Sequence, residues 1–215
     1  MKKSLLLCII AAIGFGVAPT FIQLAIQSGV SQTSCVLFNN ILLMLVCLVM
    51  CLAGHHSLCI PAKKVLPLLL MGACGMGFTV LLLSLSYQHV AVGTATVINF
   101  LYPPIVTVAC AIFMHRRLGR SAYLAILLSI LGLLFISVIG TGVSSFQPAG
   151  FILALASAFT YSFYIFGNEY FGIGEYPVWS AVFYMASASA CVFIVINAVT
   201  GQFTLPAGGA AMGYA

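Results

Sequence analysis

AVGTATVINFLYPPIVTVACAIFMHRR, residues 91–117, is the stretch whose reading decides the fold. It is an apolar run long enough to cross hydrocarbon, which takes roughly 20 helical residues, and it ends on a basic cluster. Near its centre stand Pro103 and Pro104. Neither has an N–H, so the carbonyls of Asn99 and Phe100, four residues earlier, lose their helical partners. Unpaired carbonyls in hydrocarbon are costly unless protein, water or ligand meets them. The Asn99 side chain lies beside this break, Tyr102 adds a hydroxyl and an aromatic face, and Thr94 and Thr96 add hydroxyls half a helix away. A broken helix with polar groups at mid-depth is how many transporters build a substrate site. A packing kink, with its freed carbonyls met by Ser or Thr of a neighbouring helix, is the other reading. The first predicts substrate contacts from Asn99, Phe100, Tyr102, Pro103 and Thr96.

Working outward, runs of the same kind recur along the whole chain: 4–27, 33–53, 65–87, 91–114, 121–140, 148–168 and 177–200. With 63% hydrophobic and 4% charged residues, the chain cannot cover a water-facing surface. Short alternating segments are missing, so the spans are expected to be helices with their backbone bonds closed internally. The first span repeats the proline theme: Pro19 frees the Phe15 carbonyl, and Gln23 follows one turn later. Asn39 and Asn40 lie in the second span. Intramembrane amides of this kind face the bundle interior, so Gln23 and Asn40 join the candidate substrate contacts. Small residues at four-residue spacing (Ala12 and Gly16, Ala73 and Gly77, Ala91 and Ala95, Ala154 and Ala158, Ala186 and Ala190) permit close helix approach, within the bundle or in a homodimer.

The seven Lys and Arg residues fall in three clusters, Lys2–Lys3, Lys63–Lys64 and Arg116–Arg117–Arg120. Counting spans from the N-terminus places all three on one side. Basic residues in short loops stay cytoplasmic, so the N-terminus is expected in the cytoplasm of a cell with this chain in its cytoplasmic membrane. These few, scattered basic residues lack the footprint of a nucleic-acid binder. The first span runs too far, through Ile26, for a cleaved secretion signal. Most of the eight Cys sit in apolar spans without a CxxC pair and read as small hydrophobes.

An offset of 146 lays LCIIAAIGFG (7–16) over LALASAFTYS (153–162), pairing Leu7 with Leu153 and Ala12 with Ala158. That shift spans five helices, an odd number, so the second copy would enter the membrane from the opposite side. The expected domains are therefore a five-helix first repeat, 1–140, and the beginning of an inverted second one, 148–215. The final LPAGGAAMGYA (205–215) reads as the opening of an eighth span, so the chain is expected to be a C-terminally incomplete piece of a five-plus-five arrangement.

No Asp, Glu, Lys or Arg lies near the centre of a span, and Glu169 is expected at the end of the sixth. The four His have no partners at metal-ligand spacing, and no Ser-His-Asp set, phosphate-cradling Gly loop or HExxH is present. No enzyme activity, metal or cofactor is expected. The expected partners are a small-molecule substrate and membrane lipid. The same polar helices could instead pack against partner subunits in a scaffold protein or an inactive fragment that transports nothing.

LSLSYQHVAVGTATVINFLYPPIVTVACAIFMHRRLGRSAYLAILLSILGLLFI (83–136) resembles the third-to-fifth helix signature of EamA-type transporters of the drug/metabolite transporter superfamily. The shared features are a Tyr before a short turn, small residues opening helix four, a mid-helix Pro, a basic turn and a Gly in helix five, here Gly132. AGFILALASAFTYSFYIF (149–166) resembles the family's sixth helix. The resemblance implies two inverted five-helix repeats, cytoplasmic termini, and export of small metabolites, amino acids or toxic compounds by alternating access. The chain departs from the family pattern at Arg116, where an acidic residue is usual, and at Asn39–Asn40, where many members carry a basic one. A cavity lined by Tyr, Asn, Thr and Phe without full charges then predicts a neutral or zwitterionic substrate.

Overall fold

The computed structural model describes residues 2–55, 57–115, 118–140, 147–201 and 203. Within them the regular elements are all helical: α1 (Lys2–Gln27), α2 (Gln32–Ala53), α3 (Ala62–Ser86), α4 (Val92–Phe113), α5 (Arg120–Gly140), α6 (Pro148–Tyr170) and α7 (Val178–Thr200), with one 3₁₀ turn at Ile173–Glu175. Their ends follow local chemistry. The Ser31 hydroxyl accepts from the Ser34 amide at 3.2 Å and caps α2. Pro148 opens α6 at a position where a missing N–H costs nothing. Gly172 (φ 63°) and Gly201 (φ 64°) take the left-handed turns that follow α6 and α7.

Helices α2, α3, α4, α6 and α7 are each 22–25 residues long and apolar enough to cross a membrane. Shorter apolar stretches, Ala12–Gln27 and Arg120–Gly132, occupy α1 and α5. The chain is a multi-pass membrane protein. The expected eighth span falls at 205–215, outside the described residues.

Packing centres on α3, which is wedged between α6 and α7. Its middle, Met71–Gly77, is π-helical, with the sequence MGACGMG. A Cβ on Gly72 would overlap the Met185 backbone of α7, one on Gly75 would sit 2.7 Å from Tyr164 Cβ of α6, and one on Gly77 would lie 2.6 Å from the Phe193 ring. Helices in lipid gain nothing from excluding water, so bare backbone of this kind is what lets them touch. Leu68, Met71, Met185 and Ile173 fill the space beside it. Of the small pair Ala73 and Gly77, Gly77 lies at the contact with α7 while Ala73 is only half-buried, and the wider π turn adds Gly72 and Gly75 to the face.

Helix α2 runs antiparallel along α7. At one end Thr33 and Ser34 donate to Asn197 Oδ1 at 2.9 and 3.1 Å, and at the other Cys51 lies 3.7 Å from the Ser180 hydroxyl. Lys64, at the start of α3, donates to the Phe171 carbonyl just past α6, where a cation meets the negative end of the helix. At the opposite end of the bundle His89 and Gln147 are 3.1 Å apart.

Replacing Gly75 by Leu is expected to destabilise the bundle by about 1–3 kcal/mol, the usual range for overpacking. Thermal unfolding in detergent should show a clearly lower midpoint than wild type. Gly14→Ala, where an added Cβ meets nothing within 4 Å, should leave it unchanged.

Candidate functional site

Helix α4 is broken where the two prolines require it. Its halves are Val92–Asn99 and Tyr102–Phe113, with Pro103 and Pro104 in the first turn of the second. The chain crosses the gap by tightening. The Phe100 amide still donates to Thr96 O (3.0 Å), Leu101 donates to Ile98 O (3.0 Å), and Ile105 resumes the helix on Leu101 O (3.2 Å). No N–H exists at 103 or 104 to reach the carbonyls of Asn99 and Phe100.

Helix α6 braces the break on both sides. Asn99 Nδ2 donates to the Ser157 hydroxyl at 2.8 Å, and Ser157 passes its own proton to the Ala154 carbonyl at 2.6 Å. Ser162 stands 3.3 Å from the Tyr102 carbonyl. Thr160, on the same helix, is 2.8 Å from Thr79 of α3. Ala154 and Ala158, the small pair seen in the sequence, are fully buried and bring α6 this close.

In front of the break lies a cavity of about 440 Å³ between α1, α3, α4 and α6. That is within the size range of small-molecule sites. Asn99, Phe100, Tyr102 and Thr96, four of the residues that the sequence offers as substrate contacts, line it. The Tyr102 ring meets Tyr161 of α6 edge-on at 4.6 Å, and Phe100 lies 6.2 Å from Tyr102. Pro19 and Ile22 of α1 line it too, so Pro19 contributes a wall, within a helix that continues through it. None of the lining residues is a Lys, Arg, His, Asp or Glu.

Three expectations land elsewhere. Pro103 causes the break and does not form the wall. Gln23 lies next to the lining residue Ile22 but does not itself line the cavity. Asn40 is 1% exposed and donates to Val36 O at 2.8 Å, one turn back on its own helix. Its neighbour Asn39 lines a second space of about 350 Å³, which shares Ala18, Ile22 and Val80 with the first. Glu169 sits at the end of α6, 3.8 Å from the Cys110 thiol. The wall residues that α4 did not reveal are Tyr161, Tyr87 and Thr79. Of these, only Tyr87 stands out in the sequence, as the Tyr before the short turn.

Against known proteins, the sequence pattern of the EamA-like transporter family matches residues 2–138. No curated protein matches the chain.

The Asn99–Ser157 bond is expected to couple the two residues by about 0.5–1.5 kcal/mol, the net range for an intramolecular hydrogen bond. A double-mutant cycle with Asn99→Ala and Ser157→Ala, read by thermal unfolding, checks it. Strictly additive effects would contradict the bond.

Proposed function

The chain belongs to the EamA-like transporter family, more than half of its length matching that pattern, and from that premise we propose that it is a secondary transporter of the cytoplasmic membrane. Its substrate is a small neutral or zwitterionic metabolite or drug-like compound, exported by alternating access. The observation that carries this reading is the uncharged cavity at the α4 break, where Asn99, Tyr102 and Tyr161 converge. Such a gap in a membrane helix is tolerable only where backbone faces protein or a water-filled space.

In this reading residues 1–140 form one five-helix repeat and 148–215 open a second of opposite topology. The antiparallel run of α2 along α7, helices at equivalent places in the two repeats, supports it. So does the pairing of Lys64 with the end of α6, since it puts a basic cluster beside the 171–177 loop. With that end cytoplasmic, the N-terminus is cytoplasmic too. Transport then consists of one repeat rocking against the other around the fixed cavity, with α1, which lines it, as one of the walls that moves.

Asn99→Leu keeps the size of the side chain and removes its amide. In proteoliposomes or in cells accumulating a transported compound, this variant should lose at least about tenfold in transport rate, the equivalent of one hydrogen bond to substrate. Unchanged efflux by a correctly inserted Asn99→Leu protein would refute the role of this site.

A further inference from the structure

Tyr87, in the wall of the cavity proposed above as the substrate site, holds a hydroxyl that the fold does not use. The residue follows the last turn of α3 and is 7% exposed. It packs with Ala95 and Ile98 of α4 and Ala154 of α6, so two further helices hold its ring in place. Among the described residues its hydroxyl has no hydrogen-bond partner. A buried hydroxyl in that position is a standing cost, because the water it gave up has not been replaced. For folding alone, a hydrogen in its place would be neutral or favourable.

The neighbouring polar groups are oriented by bonds of their own. Ser157 gives its single proton to Ala154 O at 2.6 Å, so toward Asn99 it can only accept. The Asn99 atom 2.8 Å away is therefore the amide nitrogen, which leaves Oδ1 and the second N–H for the cavity. Thr96, one turn earlier, spends its proton on Val92 O at 2.7 Å and keeps an accepting oxygen. Tyr102 and Tyr161 meet edge-on at 4.6 Å and add hydroxyls that give or accept. The wall thus combines donors, acceptors and aromatic surface, with no full charge of either sign. An ammonium or a carboxylate entering it leaves water and finds no countercharge, and a zwitterion does so twice. An uncharged polar group loses far less and is met.

We propose that Tyr87 is a specificity-determining residue, and that the substrates are uncharged aromatic molecules bearing an amide or lactam. The substrate carbonyl accepts from the Tyr87 hydroxyl, its N–H donates to Asn99 Oδ1, and its ring packs against Tyr102 and Tyr161. This deepens the reading above and rests on its cavity; of the neutral and zwitterionic compounds admitted there, it keeps the neutral ones. A volume of about 440 Å³ suits two fused rings with a carboxamide.

Four compounds with one ring system test the charge rule: naphthamide, naphthoate, naphthylmethylamine and naphthylalanine are neutral, anionic, cationic and zwitterionic at neutral pH. Binding of each to the purified chain in proteoliposomes is measured by equilibrium dialysis against empty liposomes, for wild type, Tyr87→Phe and Tyr161→Leu. Thermal unfolding in detergent is run on all three proteins. Naphthamide should bind at least about tenfold tighter than each charged analogue, a difference of about 1.4 kcal/mol. Tyr87→Phe should weaken naphthamide about tenfold while its unfolding midpoint stays level or rises, which a hydroxyl serving only the fold would not allow. Wild-type affinity in Tyr87→Phe, or a binding loss that comes with a clearly lower midpoint, would overturn the role of Tyr87. A charged analogue bound as tightly as naphthamide, and lost in Tyr161→Leu, would overturn the substrate class and leave the cavity as the substrate site. Naphthamide binding that survives in both variants would overturn the cavity reading itself. Failure of wild type to bind naphthamide would overturn the proposal.

Discussion

Hydrocarbon offers a backbone no hydrogen-bond partner, and this constraint governs the rest of the structure. It forces the chain into long helices that close their own bonds, and it makes any gap in one of them a costly event. The gap between Asn99 and Tyr102 is such an event. The protein meets it with a second helix, α6, whose serines stand on either side, Ser157 beneath Asn99 and Ser162 beside the Tyr102 carbonyl. What α6 does not cover opens on the cavity. The site is thus a consequence of two prolines rather than an addition to the fold.

The same solvent removes the force that assembles soluble cores. Leu against Leu is no better than Leu against lipid, so helices associate where backbones can approach and polar groups can pair. Glycines 72, 75 and 77 supply the approach, pressing the π-helical middle of α3 onto α6 and α7. Thr33, Ser34 and Asn197 supply the pairing that fastens α2 to α7. These contacts tie the last two helices to the first four, and they hold Tyr161 of α6 opposite Tyr102 of α4.

Much of this is legible in the residues. Apolar run lengths locate the helices to within a few positions, because the membrane thickness is fixed. The double proline locates the break, because its chemistry leaves no choice. Helix rotation is the part that the sequence hides. Where lipid and neighbouring helices are equally apolar, a span shows no polar face to tell which residues look inward. Tyr161, Tyr87 and Thr79 were therefore invisible as cavity residues, each coming from a helix whose orientation only packing decides. Asn40 faces the bundle interior, as the residue type leads one to expect, but away from the cavity. An amide in a membrane helix can look into a cavity or bond the turn below it, and Asn40 does the second, on Val36 O. The π-helical segment hides for a related reason, since one extra residue per turn changes which small side chains share a face.

The central claim is that the α4 break faces water held in a cavity, in the middle of the membrane. Phe100 and Val108 are both substantially exposed, 51% and 40%, but only Phe100 lines the cavity. The direct measurement introduces Phe100→Cys or Val108→Cys into a cysteine-free chain in lipid and treats each with a charged, membrane-impermeant thiol reagent. Rapid modification at position 100 with none at 108 is the predicted result. Equal resistance at both positions would mean that the break is sealed in lipid or protein, and would contradict the account.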